Sequence, residues 1–256
     1  MNGKGNESIA VITVVKSDER GLASTLDSLL RQEFKNWRCL IVLGQCTDNT
    51  EEIATNYSLR DNRITFMYEK SSGIYGAMND GINHTQEPYL IFMNAGDLFA
   101  SAKSLTLLYQ GITEGEYDFC IGNFVVDQED EPRLPGVFGE VSLIDFAFNR
   151  NWGNHQSMLF RRLSNNILYD TKYQIAADFK FVLSYLFYKT GRRIDASIAR
   201  IQSDGISDRK LVKGHLEKYI IRRELIPGLR LQTANIVWSL LAIVKVTLTQ
   251  RSRRKP

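Results

Sequence analysis

The spacing of apolar residues alternates between two periods along the first half of the chain. Short β-branched runs such as "IAVITVV", residues 9–15, are typical of strands buried on both faces. Segments between them, such as 21–32, carry leucines at helical spacing. This order predicts an α/β fold with a mostly parallel, Rossmann-like central sheet and helices on both faces. The predicted strands are 9–15, 37–44, 63–70, 89–94 and 117–126, and the second predicted helix has Thr47 or Asp48 as its N-cap.

The second half has a less regular pattern. Residues 129–140 are predicted to form a loop or a hairpin, and residues 154–162 a loop that enters a strand. Residues 175–191 have helical spacing, with Gly191 as the expected end of the helix. A last strand is predicted within 192–201, followed by two helical stretches.

Composition excludes several classes of protein. The 256 residues are 43% hydrophobic and 24% charged, which is ordinary for a globular chain, and the net charge of +3 gives no case for nucleic-acid binding. Cys39, Cys46 and Cys120 have no spacing typical of disulfides or zinc, which favours a reducing cytoplasm. No signal-peptide core and no apolar run of the roughly 18 residues that span a bilayer is present in the sequence. We therefore expect a cytoplasmic protein.

Two candidate ligand-binding features surround the fourth predicted strand. Asp97 follows its carboxyl end, where parallel sheets bind ligands, and a carboxylate there can hold a divalent cation that bridges a diphosphate. An ordinary turn or helix cap is the alternative. The preceding stretch "SGIYGAMNDGI", residues 72–82, has glycines that permit tight backbone geometry. It matches neither the dinucleotide fingerprint nor the P-loop, which argues against a dinucleotide-dependent oxidoreductase.

Two further candidates lie in the second half. His155, in "NHQS", either lines a ligand site or is a structural histidine in a loop. Asp178, in "IAADF", either satisfies backbone donors at a helix N-terminus or acts as a general base tuned by partial burial. Spacing alone does not choose between these alternatives.

Four stretches in this order, "GIYGAMNDGI", "IFMNAGD", "NHQSMLF" and "IAADFKF", resemble those of family 2 glycosyltransferases with the GT-A fold. The nearest branch contains bacterial exopolysaccharide enzymes of the colanic acid type. The resemblance covers roughly residues 9–207. It implies metal-dependent transfer of a sugar, with inversion, from a nucleotide-diphosphate sugar to an acceptor hydroxyl, with Mn²⁺ or Mg²⁺ as the cofactor.

The resemblance also implies roles for individual residues. Asp97 matches the metal-binding aspartate, and Asp178 matches the catalytic base that deprotonates the acceptor. His155 and Gln156 match a segment near the acceptor and the diphosphate. The residues implied in donor binding are Val14, Leu43, Asp48, Gly73, Ile74, Tyr75, Met78, Asn79, Asn94, Ala95 and Gly96, with Asn94 at the position of the first acid of the metal motif.

The sequence departs from the family pattern at the second strand. Leu43 stands where the family has an aspartate that contacts the nucleobase, and Gln45 and Cys46 replace a glycine and a serine. Gly76 replaces another usual aspartate. These departures motivate an alternative, a catalytically silent subunit that binds a nucleotide or a partner in polysaccharide assembly. Retention of Asp97 and Asp178 argues against it.

The domain boundaries follow from the same patterns. Residues 1–207 are predicted to form the GT-A domain, with a donor-binding half at 8–127 and an acceptor half at 128–207. Residues 208–256 are predicted to form a basic, amphipathic helical segment, whose apolar core is interrupted by Lys245. Such a segment suits an anionic membrane surface or packs on the domain or a partner. We expect peripheral contact with the inner face of the cytoplasmic membrane and a lipid-linked glycan acceptor.

Overall fold

The computed structural model describes residues 8–127, 139–141, 143–148, 154–187, 189–202, 211–226, 228, 233, 235–241 and 243–244. Its strands are β1 Ile9–Val15, β2 Trp37–Leu43, β3 Ile64–Tyr68, β4 Tyr89–Phe92, β5 Leu98–Phe99, β6 Phe119–Val126, β7 Gly139–Glu140, β8 Met158–Arg161 and β9 Gly191–Ile201. Its helices are α1 Glu19–Leu30, α2 Thr50–Arg60, α3 Ile74–His84, α4 Ser104–Thr113, α5 Leu143–Phe148, α6 Ala177–Leu186 and α7 Leu211–Leu225. A 3₁₀ turn, His155–Ser157, precedes β8.

One sheet contains all of these strands, in the order β3-β2-β1-β4-β8-β6-β9-β5, with β7 also paired to β9. The half formed by β3, β2, β1 and β4 is parallel, as predicted. In the other half β8 pairs antiparallel with both β4 and β6, so the sheet as a whole is mixed. The prediction of a mostly parallel sheet thus holds for the first half, where helical crossovers join the strands.

Helices cover both faces of the sheet, which confirms the predicted layers. Alternate residues of β1 point to opposite sides. Ala10, Ile12 and Val14 pack in a core that includes residues of α3 and α6, and their neighbours Ile9 and Val11 pack in a second core with residues of α1 and α4.

Two local predictions differ from the structure, and a third is mostly untested. Helix α6 ends at Leu186, and Gly191 begins β9 instead of capping the helix, because Gly191 pairs with Phe119 in the sheet. The N-cap of α2 is Asn49, neither Thr47 nor Asp48. Most of the predicted loop or hairpin at 129–140 lies outside the described residues.

The chain continues past the sheet into two helical segments. Helix α7 packs against α6, and residues 233, 235–241 and 243–244 form a further helix, here called the terminal helix. Arg222 of α7, which is buried, donates hydrogen bonds to Asn235 Oδ1 (2.7 Å) and Ser239 Oγ (2.8 Å) of the terminal helix. Across the residues that the structure describes, no helix is both long enough and apolar enough to cross a membrane. The predicted domain boundaries remain a prediction.

Candidate active site

Asp97 lies in the turn between β4 and β5, at the carboxyl edge of the parallel strands. Its backbone amide donates to Asn94 O at 3.0 Å, and Thr25 of α1 fixes the turn by donating to Asp97 O (2.8 Å) and accepting from Gly96 N (3.0 Å). The carboxylate is only 6% exposed and accepts hydrogen bonds from Gln156 Nε2 (2.7 Å) and Gln202 N (3.1 Å). Burial raises the pKa of Asp97 to about 6, although both hydrogen bonds favour the charged form.

The turn at His155 and Gln156 links Asp97 to Asp178. Asn154 caps this turn, because its side chain accepts from Gln156 N. Gln156 reaches Asp97, while His155 Nδ1 lies 3.5 Å from Asp178 Oδ2 in a geometry that falls short of a hydrogen bond. Two adjacent side chains therefore lie against the two predicted acids, which are 81 positions apart in sequence.

Asp178 occupies the first turn of α6, where a carboxylate is favoured by the helix dipole. Its Oδ1 accepts from Phe179 N at 2.7 Å, and its side chain remains 17% exposed. Tyr75 of α3 lies close by and donates from Oη to Ile175 O at 2.9 Å. Burial, followed by the charge of Asp178, raises the pKa of Tyr75 well above its ordinary value. Tyr75 therefore remains a neutral hydrogen-bond donor beside the predicted base.

The glycine-containing stretch forms the start of α3. Gly73 is the N-cap, with φ +86°, and the following Ile74 is 39% exposed. Asn79 points into the protein instead: its amide donates to Tyr169 O (2.9 Å) and accepts from Tyr169 N (2.8 Å). This double hydrogen bond joins α3 to the segment that leads into α6, so the Asn79 side chain has a structural role that its sequence position did not reveal.

Other predicted donor residues differ in accessibility. The side chains of Leu43 and Met78 are fully buried in the two cores, and Val14 is 7% exposed. These side chains therefore contribute to the packing of the two cores. A direct contact between Leu43 and a nucleobase stays a prediction. The Leu43 side chain is buried and apolar, so it has no polar group that could hydrogen-bond to a base.

Asp48 lies between the starts of α1 and α2. It accepts hydrogen bonds from Glu19 N (3.2 Å), Thr50 N (3.1 Å) and Thr50 Oγ1 (2.5 Å). The hydrogen bond from the Thr50 hydroxyl is the largest cause that lowers the pKa of Asp48. These contacts order the loop, and the predicted role of Asp48 in donor binding is not tested by them.

Gly96 and Gln202 complete the surroundings of Asp97. Gly96 has φ +91°, and a Cβ atom at this position would lie 2.6 Å from the Gln202 side chain, so only glycine fits without strain. Ala95 beside it is partly exposed. Sequence reasoning missed Gln202. It follows β9, which runs parallel to β6, so the rule that ligands bind at carboxyl ends of strands offered a signal for it.

The oxygen atoms around Asp97 fit a divalent cation. Asn94 Oδ1 and Gln156 Oε1 are buried and have no hydrogen-bond partner within the described part of the chain. Mg²⁺ and similar hard cations prefer oxygen ligands and are often held by one or two carboxylates together with substrate phosphates. No cluster of three or more His, Cys, Asp or Glu side chains that could hold a metal occurs among the described residues. The arrangement suits a cation shared with a diphosphate better than an all-protein cage.

Comparison with curated proteins finds several glycosyltransferases. The chain is 30% identical over 183 residues to Glycosyltransferase GlyA of Streptococcus pneumoniae, which covers 63% of this chain and 26% of GlyA. It is 25% identical to Glycosyltransferase GlyG of the same organism over 74% of this chain and 62% of GlyG. A PGL/p-HBAD biosynthesis glycosyltransferase of Mycobacterium bovis is 28% identical over 62% of each chain. The chain thus spans less than two thirds of the length of these relatives.

Solved structures of glycosyltransferases share the fold. Staphylococcus aureus TarS 1-349 in complex with UDP matches with a TM-score of 0.69 at 14% identity, over 89% of this chain and 68% of that one. The mannosyltransferase PcManGT from Pyrobaculum calidifontis, in complex with GDP-Man and Mn²⁺, matches with a TM-score of 0.59 at 14% identity, over 97% of this chain and 76% of that one. At such identities the likeness supports the GT-A fold alone. The model of the family described as "Glycosyl transferase family 2" matches residues 8–186, and the chain belongs to this family.

Proposed function

We propose that this glycosyltransferase moves a sugar from a nucleotide-diphosphate sugar to a hydroxyl of a glycan acceptor, with inversion at the anomeric carbon. The observation that carries the proposal is the site itself, in which the turn at His155 and Gln156 brings Asp97 and Asp178 together. One carboxylate is buried and lies next to Asn94 and Gln156, whose amide oxygens have no hydrogen-bond partner among the described residues. The other is partly exposed at a helix N-terminus, as a base that meets an acceptor requires.

The reaction balances with the groups present. The acceptor oxygen forms a bond to the anomeric carbon, the bond from that carbon to the diphosphate breaks, and the acceptor proton passes to the carboxylate of Asp178. The electron pair of the broken bond leaves with the nucleoside diphosphate. Asp97, together with the amide oxygens of Asn94 and Gln156, would hold a divalent cation, which would supply positive charge to offset that of the departing diphosphate. His155 and Tyr75 border the proposed base.

The donor class is testable by thermal unfolding with UDP, GDP, CDP and dTDP, each with and without Mn²⁺. A nucleotide at about a hundred times its dissociation constant adds about 2.7 kcal/mol to the free energy of unfolding. For a chain of this length this raises Tm by several degrees. We expect a metal-dependent shift with one nucleotide. The Asp178→Asn variant is expected to keep this shift and to lose turnover by about 10²–10⁴-fold. Turnover that survives in this variant would refute the role of Asp178.

A second candidate is the catalytically silent subunit. Two observations favour it: Leu43, at the position expected to contact the nucleobase, is buried, and Asp48 is engaged by α1 and α2. Under this alternative the wild type releases no nucleoside diphosphate from any donor sugar, with or without an acceptor, although a nucleotide or a partner still binds. Measured turnover on one donor decides for the enzyme.

For the acceptor and the cellular setting, we propose a lipid-linked glycan of bacterial surface polysaccharide assembly, in the exopolysaccharide branch, handled at the inner face of the cytoplasmic membrane. The motif resemblance and the exposed apolar residues of the C-terminal segment support this setting. Transfer to a lipid-linked saccharide in membranes from an exopolysaccharide-producing bacterium tests it.

A further inference from the structure

The terminal helix buries polar residues and exposes apolar ones, which is the reverse of an ordinary surface helix. Its polar residues Asn235 and Ser239 are 1% and 5% exposed and face α7, where Arg222 donates to both. The apolar residues of the same helix face outward. Those that are roughly half exposed are Ile236, Val237, Leu240, Leu241 and Val244. At 100° per residue these five positions cover one continuous face.

A second exposed apolar pair lies on α7, the helix that holds the terminal helix. Leu216 and Ile220 are 47% and 45% exposed and occupy one face at a spacing of four residues. Asn235 Nδ2 donates to Tyr219 O at 3.1 Å, so the two helices are in contact beside this pair. A water-soluble surface seldom gathers so many exposed large apolar side chains on neighbouring helices.

The charge of the sequence that follows indicates what covers this face. Residues 245–256 contain Lys245, Arg251, Arg253, Arg254 and Lys255 and no acidic residue. Each basic residue near an anionic bilayer adds electrostatic attraction to its surface. Apolar side chains that enter the headgroup region, together with such a basic segment, form a two-part membrane anchor. We propose that the outer face of the terminal helix, defined by Ile236, Val237, Leu240, Leu241 and Val244, binds an anionic lipid surface.

Vesicle sedimentation tests this surface independently of catalysis, so that its failure leaves the proposed reaction untouched. The full chain is mixed with vesicles of phosphatidylcholine alone or with a third phosphatidylglycerol. We expect binding to the anionic vesicles, weakened by high salt, and a loss of at least tenfold in the double variant Leu240→Glu, Leu241→Glu. Leu59→Glu is the matched control, because Leu59 is 81% exposed on the distant helix α2 and should bind as the wild type does.

Two outcomes would overturn the proposal. One is equal vesicle binding by the double variant and by Leu59→Glu. The other is a wild type that does not sediment with vesicles but forms a dimer in light scattering that the double variant loses, which assigns the face to a second copy of the chain. Both changed side chains are exposed, so the double variant is expected to fold, and far-UV circular dichroism checks this.

A different observation concerns Glu217 of α7, which lies beyond the residues matched by the family model. Its carboxylate is 7% exposed and accepts hydrogen bonds from three successive backbone amides, Gln174 N (3.1 Å), Ile175 N (2.8 Å) and Ala176 N (2.9 Å). These amides lead directly into α6, two residues before Asp178. All three amides lie at or before the N-cap, Ala176, where no side chain of α6 accepts from them.

The same segment presents Ile175 O to Tyr75, so Glu217 fixes a stretch of backbone that also holds the tyrosine beside Asp178. We infer that Glu217 is a positioning residue, which sets the place of Asp178 through the backbone of residues 174–176. This inference rests on the proposed function. A wild type without turnover would count against that function, whereas a wild type with turnover allows Glu217 to be judged separately.

The variant Glu217→Gln turns one acceptor oxygen into a donor that faces a backbone N–H. We expect kcat to fall at least tenfold while KM for the donor changes less than twofold, because the donor side of the site lies on other elements. Glu224→Gln is the control on the same helix, since Glu224 is exposed and accepts from the side chains of Lys172 and Lys180. If Glu217→Gln does not fold, Glu217→Asp, which keeps the charge and shortens the side chain, is judged by the same criteria. An unchanged kcat in the folded variant, with only a lower Tm, would overturn the inference.

Discussion

Replacement of Asp97 by asparagine is expected to stabilise the protein at neutral pH while it removes the carboxylate of the proposed cation site. The pKa of Asp97 is raised from 3.8 to about 6, chiefly by burial. A raised carboxyl pKa means that the folded state binds the proton more tightly than the unfolded state. The contribution of this group to stability is therefore fully present below the unfolded pKa near 4 and is lost as the pH rises through about 6.

The size of the effect follows from the two pKa values. At about 1.4 kcal/mol per pKa unit, the charged carboxylate costs about 3 kcal/mol at pH 7.5. The amide oxygen introduced by Asp97→Asn can still accept from Gln202 N, and Gln156 can rotate its amide so that its unpartnered oxygen accepts from the introduced NH₂ group. Allowing about 1 kcal/mol for this rearrangement, we expect a net gain of about 2 kcal/mol, or roughly 4–8 °C in Tm.

Thermal unfolding in EDTA at pH 4 and pH 7.5 measures this gain. The difference in Tm between the variant and the wild type should be large at pH 7.5 and small at pH 4. Asp80→Asn is a control of opposite sign. Burial works against the charged form of Asp80, but the hydrogen bonds from Ser71 and Lys70 outweigh it and lower the pKa, so this variant should lose stability at neutral pH. A Tm of Asp97→Asn at or below the wild type at pH 7.5, or a difference that does not shrink at pH 4, would refute the reasoning. Mn²⁺ should raise the Tm of the wild type alone.

Three further substitutions test the supports of the site. Asn79→Ala removes both hydrogen bonds to the Tyr169 backbone and should lower the free energy of unfolding, measured in urea, by about 2–4 kcal/mol. Asn83 is exposed on the same helix, so Asn83→Ala should change this free energy little. Gly96→Ala forces a side chain to φ +91° against Gln202 and should lower the free energy of unfolding by about 1–3 kcal/mol. It should also weaken the Mn²⁺-dependent shift in Tm. An unchanged metal response would show that this turn is not part of the site. Arg222→Ala leaves buried polar groups of α7 and the terminal helix unpaired and should lower the free energy of unfolding by about 2–4 kcal/mol. Arg20→Ala, at an exposed position of α1, should stay near the wild type in calorimetry.

The first half of the fold was predictable because the residues within each strand and helix are enough to specify it. Each strand from β1 to β4 is a short apolar run, each helix between them has its own apolar stripe, and short crossovers leave little choice of partner. In the second half β8 takes its place between β4 and β6, and nothing in the sequence of residues 158–161 specifies which neighbours it pairs with or in which direction. Strand partners of that kind are chosen by tertiary contacts that periodicity does not encode.

The candidate site was likewise predictable only in part. Asp97, Asp178, His155 and Gln156 were identified from motifs, and the structure brings all four together. The motif spacing could not show that Asn79 is bonded to backbone 90 residues away. Nor could it show that Leu43 and Met78 serve the cores. Motif matching assigns a position, but only the fold determines whether its side chain faces a ligand or the interior.

The two acids of the site also depend on residues that no motif contains. Gln202 donates its backbone amide to Asp97 from 105 residues away, and Glu217 holds the backbone just before Asp178 from the far end of the chain. Both lie beyond residue 186, where the match to the family model ends. The family architecture therefore supplies the acids, while the C-terminal portion of this chain supplies hydrogen bonds that fix them. If the terminal helix binds a bilayer, the helix packed against it is the one that carries Glu217. The same helix pair would then both place the protein on the membrane surface where we propose that the acceptor lies and hold the backbone beside Asp178, the proposed base.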